Sequence, residues 1–537
     1  MPYSLLLIFL LPILSIPFVY LAGKKSSKAA ATLVALVAIA NIGLVLSTVP
    51  TIITESLYRE SYAWIPVLNS HFSLFVDGIS ASIAIITLLL VTAAAIFSAR
   101  YMEGKKNLPV YYSLLSLLSV GLVGVFITSN FLLFYFCWEL MLVPAYFIIG
   151  GWGYRDSYKA AFKLFIFTHA GAVFVLLGIG AIYITTGQTD MFAAQSALMA
   201  PGVAETAKWI LLALTAGFAV KMAIVPVHMW LPDAHSEAPA TMSALLSGVI
   251  ISAGAYAILR LSLGTVLPAV VLNDAAFATN FLHGLAIFGV ISAFFGAFIA
   301  LVETDVKRVI AYSSIAHMGY ILFGLSLFPA ATALTLAQAA ASAGTAASNQ
   351  AALTLTTIVA ASTGFGLAIM GAVLHILTHA TSKGLFFLSA GSVMHQTDER
   401  DIRKMGGLAS KMPFTGASSI VAALSIAGSP PFACFWSEFF IFVGAFEIIS
   451  IDNFYIIPLV FMVIATVLSL AYSLRFINKV FLGQPKSETS EAAPAEKKRF
   501  EVPNSMKLAM VILVVFVIVL GVYPAFFINL IKGVALI

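Results

Sequence analysis

The 537-residue sequence contains little charge. Asp, Glu, Lys and Arg make up 9% of the residues and hydrophobic residues 61%, whereas about 25% of the residues of an ordinary soluble domain are charged. So few charges exclude a soluble protein of this length. The apolar residues occur in runs of about twenty, which predicts membrane helices and excludes a transmembrane barrel, because membrane strands alternate polar and apolar residues.

Cysteine is also scarce. The only two cysteines, Cys137 and Cys434, lie in separate apolar segments. Iron–sulfur clusters and zinc–thiolate sites need more thiolates than this, and neither a phosphate-binding loop nor a dinucleotide-binding glycine motif is present. We therefore expect no cofactor and no metal on this chain, with any redox group in partner subunits. The basic pI of about 9.0 does not indicate nucleic-acid binding, because the basic residues lie between apolar segments.

Fourteen apolar segments are long enough to span a bilayer. They lie at 3–22, 29–50, 78–99, 110–128, 131–151, 162–185, 206–230, 240–262, 279–301, 309–328, 362–393, 415–447, 454–478 and 507–533. The sequence thus predicts an all-α polytopic membrane protein with about 14 transmembrane helices.

The distribution of basic residues predicts the orientation of these segments. Of the 28 Lys and Arg residues, 22 lie in loops that follow odd-numbered segments, and Lys221 and Lys383 lie inside segments. The loops of the other side hold only Arg59, Lys208, Arg260 and Lys532. Because Lys and Arg accumulate on the cytoplasmic side, we expect both termini on the outer side. We expect the membrane itself to be a prokaryotic plasma (inner) membrane.

Two charges lie near the middle of predicted spans in the first half of the chain, Glu139 and Lys221. A charge at this depth costs about 2.5–3.5 kcal/mol on insertion scales, so each is a candidate for function. Pro226 follows Lys221 by five residues and should break its helix, which leaves backbone carbonyls that favour a nearby ammonium group. In the alternative interpretation, Glu139 and Lys221 form a fixed structural ion pair and the prolines only kink helices.

The second half of the chain repeats this pattern with the opposite charge. Pro430 and Pro431 should break segment twelve, and Glu438 follows them by seven residues. Broken helices near the middle of the membrane are typical of ion-transport sites. The sequence therefore predicts two broken helices, one with a lysine and one with a glutamate.

Segment eleven carries His375, His379 and Lys383 at a spacing of four residues. This spacing places the three side chains on one helical face over about 12 Å. Imidazole accepts a proton on one nitrogen and releases one from the other, so the face predicts a proton relay. A metal site is the competing interpretation, but no third ligand follows in an H-E-x-x-H pattern. His317 and His169 are either relay members or hydrogen-bonded core histidines.

With these motifs, the chain resembles the antiporter-like, proton-pumping membrane subunits of respiratory complex I, and among them the subunit M (chain 4) family. The resemblance covers segments four to thirteen. It rests on WELMLVP from Trp138, KMAIVPVHMWLPDAH from Lys221, ETDVKRVIAYSSIAHMGY from Glu303, DIRKMGGL from Asp401 and SPPFACFWSEF from Ser429.

The resemblance implies two inverted five-helix repeats, each with a broken helix. It divides the chain into N-terminal helices (1–108), a first repeat (109–262), a second repeat (263–478), and a cytoplasmic linker with a last helix (479–537). It implies that Glu139 and Lys221 form a coupled pair, that the His375–His379–Lys383 face is a relay, and that Glu438 is the exit residue. The residues expected to support these proton-relay residues are Lys163, Pro226, His228, Ser252, His317, Pro430 and Pro431.

Two positions depart from the family pattern. Ser252 stands where subunit M relatives usually carry a lysine, and Lys383 follows His379 as in subunit L and in multisubunit sodium/proton antiporters. We therefore expect Lys383 to take over the role of the central lysine.

The expected function is redox-driven proton translocation. Other membrane-arm subunits, including neighbouring antiporter-like subunits, and the lipid bilayer are the expected partners, and flavin, iron–sulfur clusters and quinone belong to partner subunits. Two alternatives remain: a subunit of a multisubunit sodium/proton antiporter, and the equivalent subunit of a membrane hydrogenase or a reduced-deazaflavin dehydrogenase.

Overall fold

The computed structural model describes residues 3–200, 202–328, 363–484 and 500–532. Most of these residues are helical. In chain order the helices are α1 Ser4–Lys25, α2 Ser27–Glu55, α3 Gly78–Tyr101, α4 Leu108–Ile127, α5 Phe131–Trp152, α6 Ser157–Thr186, α7 Met191–Leu198, α8 Ala204–Met222, α9 Leu231–Glu237, α10 Ala240–Asn273, α11 Ala275–Val302, α12 Val306–Ser326, α13 Thr363–Thr397, α14 Leu408–Lys411, α15 Pro413–Ile426, α16 Cys434–Ile448, α17 Asn453–Leu482, α18 Asn504–Val522 and α19 Ala525–Lys532.

The helices confirm the polytopic helical class. Eleven helices of the described ranges are long and apolar enough to cross a membrane. The remaining predicted spans coincide with α8, α13 and the pair α15–α16, which are helical as well. The number fourteen stays a prediction.

A two-stranded antiparallel hairpin lies between α2 and α3. Its strands are β1 Leu57–Ile65 and β2 Ser70–Asp77. In β1, half-buried and exposed residues alternate from Tyr58 to Ala63, which is typical of a strand with one packed face. Glu60 of β1 accepts hydrogen bonds from the backbone N–H groups of Leu5 and Leu6, both at 3.0 Å. The hairpin thus satisfies unpaired donors at the start of α1.

The centre of the bundle is formed by α3, α10 and α12, which are buried along nearly their whole length, and by α13. Leu90 of α3 packs against both Gly248 of α10 and Gly384 of α13. Helices such as α1, α6 and α17 instead expose many large apolar side chains. Lipid-facing helices therefore surround a core whose own helices carry the candidate relay residues.

Arg260 corrects the predicted membrane topology at one point. It was expected in an outer loop, but α10 continues to Asn273 and the Arg260 side chain is 1% exposed. Its guanidinium group binds the carboxylate of Asp77 at the end of β2 and lies 5.5 Å from the ring centre of Tyr256. The sequence pattern missed this because the acidic partner is 183 residues away.

Candidate functional site

The first predicted helix break is present between α8 and α9. Helix α8 ends at Met222, and Ala223 adopts a left-handed conformation with φ of 58°. The Val220 carbonyl at the end of α8 accepts from the Ala223 backbone N–H at 3.1 Å and from the Trp230 indole N–H at 3.0 Å. Pro226 lies in the break and is exposed.

Lys221 lies at the end of α8, directly before this break, and is 2% exposed. Its ammonium group donates to the Trp138 carbonyl at 3.0 Å and lies 4.3 Å from the centre of the Trp138 ring. Within the described ranges, Lys221 and Glu139 make no ion pair. The alternative of a fixed ion pair is therefore wrong, and the two residues are linked through the backbone of Trp138 and Glu139.

The Glu139 carboxylate has one buried oxygen, Oε1, without a hydrogen-bond partner among the described residues, and its other oxygen contacts His169. Its Oε2 lies 3.4 Å from His169 Nδ1, and the two side chains are 23% and 49% exposed. The His169 ring stacks on Phe165 with 5.5 Å between ring centres. His169 is therefore a partner of Glu139 and not a core histidine, and this titratable pair lies on an outward face near the middle of α5 and α6.

The second predicted break separates α15 from α16. Residues 427–433 connect the two helices and contain Pro430 and Pro431. Gly428 has a φ of +66°, and a Cβ atom at this position would overlap Glu438 Oε2 and lie 3.1 Å from Glu438 Cδ. The left-handed glycine thus gives the Glu438 carboxylate its space.

Two histidines meet this carboxylate in the interior. His317 Nδ1 lies 3.0 Å from His375 Nε2 and 3.9 Å from Glu438 Oε1. We call these three residues the His–Glu cluster. His379 lies beside it, with its ring centre 5.6 Å from that of His317. Both ring nitrogens of His379 are buried and have no hydrogen-bond partner among the described residues. The structure therefore brings the predicted His375, His379 and Glu438 together with His317.

Lys383 continues the same buried face of α13. Its ammonium group donates to the Ile310 carbonyl at 3.2 Å and to the Ser313 hydroxyl, both on α12. Its charge thus lies against the helix that also carries His317 of the cluster.

Ser252 lies at a different depth from Lys383. Ala240 packs on Gly391 and Gly248 on Ala380, so α10 and α13 run antiparallel. This register puts Lys383 at the same depth as residue 246 of α10. Ser252 lies six residues further along α10, which is about 9 Å along the helix axis. The Ser252 hydroxyl donates to the Gly248 carbonyl at 3.0 Å and so only satisfies its own helix.

His235 is a buried histidine that the sequence analysis did not single out. It ends the KMAIVPVHMWLPDAH motif, which was the available signal. Its ring stacks on Phe387 of α13 with 4.7 Å between ring centres, and neither ring nitrogen has a partner among the described residues. Lys307 donates to the His235 carbonyl at 3.2 Å. His235 thus connects the first break to the helices of the second half.

The remaining supporting residues lie near the ends of these helices. Lys163 binds Asp233 at 2.6 Å, and Asp233 also binds Arg308 at 2.8 Å, so Lys163 contacts the short helix after the first break and not Lys221. His228 lies in that break, with its ring centre 5.0 Å from that of Phe295.

Arg400 adds a second bridge on the same side of the bundle. It binds Glu237 at 3.1 Å and Asp305 at 2.8 Å. Burial opposes its charge, but Asp305 and Glu237 outweigh burial and raise the pKa of Arg400. Short helix α9 is therefore tied by ion pairs to both halves of the chain.

Comparison with known proteins gives the same family for this arrangement. The transmembrane family of NADH:quinone oxidoreductase and Mrp antiporter proteins matches residues 128–354 and 331–469. NADH-quinone oxidoreductase subunit M of Escherichia coli is 33% identical over 472 residues, which are 86% of this chain and 81% of that protein.

Two further proteins agree with this match. F(420)H(2) dehydrogenase subunit M of Methanosarcina mazei is 30% identical over 434 residues, 79% of this chain and 77% of that protein. A chain of respiratory complex I from Thermus thermophilus, solved with bound NADH, has the same fold, with a TM-score of 0.78 at 21% identity over 99% of this chain and 98% of that chain. The chain therefore belongs to the NADH:quinone oxidoreductase/Mrp antiporter transmembrane family, in which its similarity to subunit M extends over most of its length.

Proposed function

We propose that the chain translocates protons as a membrane-arm subunit of a redox-driven complex that transfers electrons from NADH, or from a related donor, to quinone. The observation that supports this most is the buried series Lys383, His379, His317, His375 and Glu438. It runs between the centre of the bundle and the second helix break.

The proposed path has two half-channels. The first contains Lys221 at the α8–α9 break, and the second contains Glu438 at the α15–α16 break. His235 and Lys383 connect them through the centre. Neighbouring relay groups that are not in direct contact exchange protons through intervening water molecules, as proton transfer between side chains requires hydrogen-bond reach.

Glu139 controls the first half-channel in this proposal. Its negative charge attracts the ammonium group of Lys221, which binds the carbonyl of the preceding residue, Trp138, at 3.0 Å. Movement of α5 relative to α8 changes this interaction, and the proton of Lys221 then passes towards Lys383 and Glu438.

The exposed Glu139–His169 pair indicates a neighbouring subunit. Ionisable side chains at bilayer depth face protein or water and not lipid. We therefore place a neighbouring antiporter-like subunit against this face of α5 and α6. Flavin, iron–sulfur clusters and quinone are then held by other subunits, and both termini lie on the outer side of a prokaryotic plasma membrane.

The Lys383→Ala variant tests this function and the replacement of the lysine missing at Ser252. In proteoliposomes containing the whole complex, we expect proton translocation to be abolished while uncoupled electron transfer is at least partly retained. Lys208→Ala is the control, because Lys208 forms ion pairs with Glu205 and Asp274, both at 2.9 Å, away from the relay. Full pumping by Lys383→Ala contradicts the proposed relay.

A sodium/proton exchange function is the second candidate. It is favoured by the His379–Lys383 spacing, and the matching family includes Mrp antiporters. Purifying the complex and identifying its subunits distinguishes the candidates. Subunits with iron–sulfur clusters and a quinone site support the redox complex, and the donor-binding subunit shows whether NADH, hydrogen or a reduced deazaflavin is the donor. Small antiporter subunits alone support the exchanger.

A further inference from the structure

Three potential ligand atoms from three different helices converge in the His–Glu cluster. His317 comes from α12, His375 from α13 and Glu438 from α16. One nitrogen or oxygen atom of each lies within 4.8 Å of the other two, and the closest pair is 3.0 Å apart. Two ligands of one tetrahedral zinc ion are about 3.3 Å apart, given zinc–ligand distances of about 2.0–2.1 Å. Shifts of roughly 1–1.5 Å therefore suffice to surround one ion.

The outer nitrogens of both rings have hydroxyl partners. His375 Nδ1 lies 2.8 Å from the Ser437 hydroxyl, and His317 Nε2 lies 3.3 Å from the Tyr472 hydroxyl. Protein metal sites have the same arrangement, because the second ring nitrogen of a ligating histidine is held by a hydrogen bond that fixes the ring. The rings are thus oriented with His317 Nδ1 and His375 Nε2 towards each other, and a bound ion would replace the hydrogen bond between these two nitrogens.

The carboxylate contributes an atom without a partner. Glu438 Oε1 is buried and makes no hydrogen bond with any described residue, and the side chain is 6% exposed. A buried acceptor of this kind is costly unless a proton or a cation satisfies it. This unpartnered oxygen faces His317 Nδ1 at 3.9 Å.

We propose that the His–Glu cluster binds a divalent cation of the zinc class, with water as a fourth ligand. Two imidazole nitrogens and one carboxylate suit Zn²⁺, whereas Ca²⁺ takes six or more oxygen ligands and Mg²⁺ an octahedral oxygen shell. The sequence favours a different pair, His375 and His379, because they lie four residues apart. The converging pair is His317 and His375, which are 58 residues apart.

The ligands of this ion are side chains that carry protons in the proposed relay. Zinc therefore inhibits proton translocation by competing with the proton, an effect that rests on the proposed function. Binding of the ion itself does not depend on it, because binding requires only the geometry of the three ligands.

Zinc counting on the intact purified complex tests the site. After dialysis against ZnCl₂, we expect the wild-type complex to hold one more zinc ion than complexes with Glu438→Gln or His375→Asn. His395→Ala is the matched control, because His395 is an exposed histidine on the same helix, and this variant should keep the full count. Equal counts in the wild type and in the two cluster variants overturn the proposal.

A density map of the zinc-soaked wild-type complex requires no variant. Density for an ion between His317, His375 and Glu438 supports the site, and its absence at saturating ZnCl₂ overturns it. A bound ion that leaves proton uptake by proteoliposomes unchanged keeps the metal site but contradicts the proposed relay. The failure of each proposal is therefore recognised separately.

Discussion

Gly428 is the residue through which the position of the Glu438 carboxylate is tested most directly. In Gly428→Ala, two effects act together. A left-handed conformation costs a residue with a Cβ atom roughly 1–2 kcal/mol, and Gly428 has a φ of +66°. The new Cβ also overlaps Glu438 Oε2 and lies 3.1 Å from Cδ and 3.4 Å from Oε1.

The second effect displaces Glu438, the last residue of the proposed relay. To restore contacts of about 3.5–4.0 Å, its carboxylate has to move by roughly 1 Å. In the wild-type chain the carboxylate lies 3.9 Å from His317, so such a shift alters the spacing of the last step in the proposed relay. Misplacement of a reacting group by about 1 Å costs up to about 10²-fold in rate. We therefore expect proton translocation to fall by about 10- to 100-fold.

Gly187→Ala separates the two effects. Gly187 has a φ of +68°, and a Cβ atom there meets nothing within 4 Å. Gly187→Ala therefore carries the free-energy cost of a left-handed alanine but creates no close contact with another side chain. Proton uptake per electron, measured in proteoliposomes, should be reduced in Gly428→Ala and unchanged in Gly187→Ala. Equal uptake by both variants, with both complexes fully assembled, refutes the argument that Gly428 positions Glu438.

Three single variants and one double variant test other parts of the structure. Glu139→Gln should reduce pumping with little effect on assembly, because it removes a charge that is 23% exposed; unchanged pumping excludes a trigger role for Glu139. Arg260→Leu should destabilise the chain by about 3–5 kcal/mol, because it leaves Asp77 buried without a cation, and Arg260→Leu with Asp77→Leu should regain most of the assembled complex in membrane extracts. Asp233→Asn removes two partly exposed ion pairs, at 2.6 and 2.8 Å. It should lower the free energy of unfolding by about 1 kcal/mol or less, measured as a small drop in the melting temperature of the complex, and this drop should be larger at low than at high salt.

The membrane helices and both helix breaks could be predicted from sequence because local signals define them. Apolar runs locate the helices, and Pro226 and Pro430 lie within the breaks that the structure shows. The β1–β2 hairpin was missed because a search for long apolar runs passes over short strands that mix polar and apolar residues.

The contacts within the candidate site were less predictable, because they connect distant residues. His375 and Glu438 were expected from their own segments, but their meeting with His317 depends on how three helices pack. Similarly, Lys221 and Glu139 both lie near the middle of their spans and a fixed ion pair was one interpretation, whereas the structure places the carbonyl of Trp138 against Lys221. Spacing along one helix says which side chains share a face, but not what lies opposite that face.

The bond between Lys221 and the Trp138 carbonyl has a mechanical consequence. A backbone carbonyl cannot gain or lose a proton near neutral pH, so no titration of Trp138 can release the ammonium group. A change at Lys221 itself or a relative displacement of α5 and α8 breaks this bond, and a displacement of about 1 Å takes it from 3.0 Å beyond normal hydrogen-bond length. A small shift of α5 against α8 is therefore enough to remove a hydrogen bond from an ammonium group that is buried in the interior.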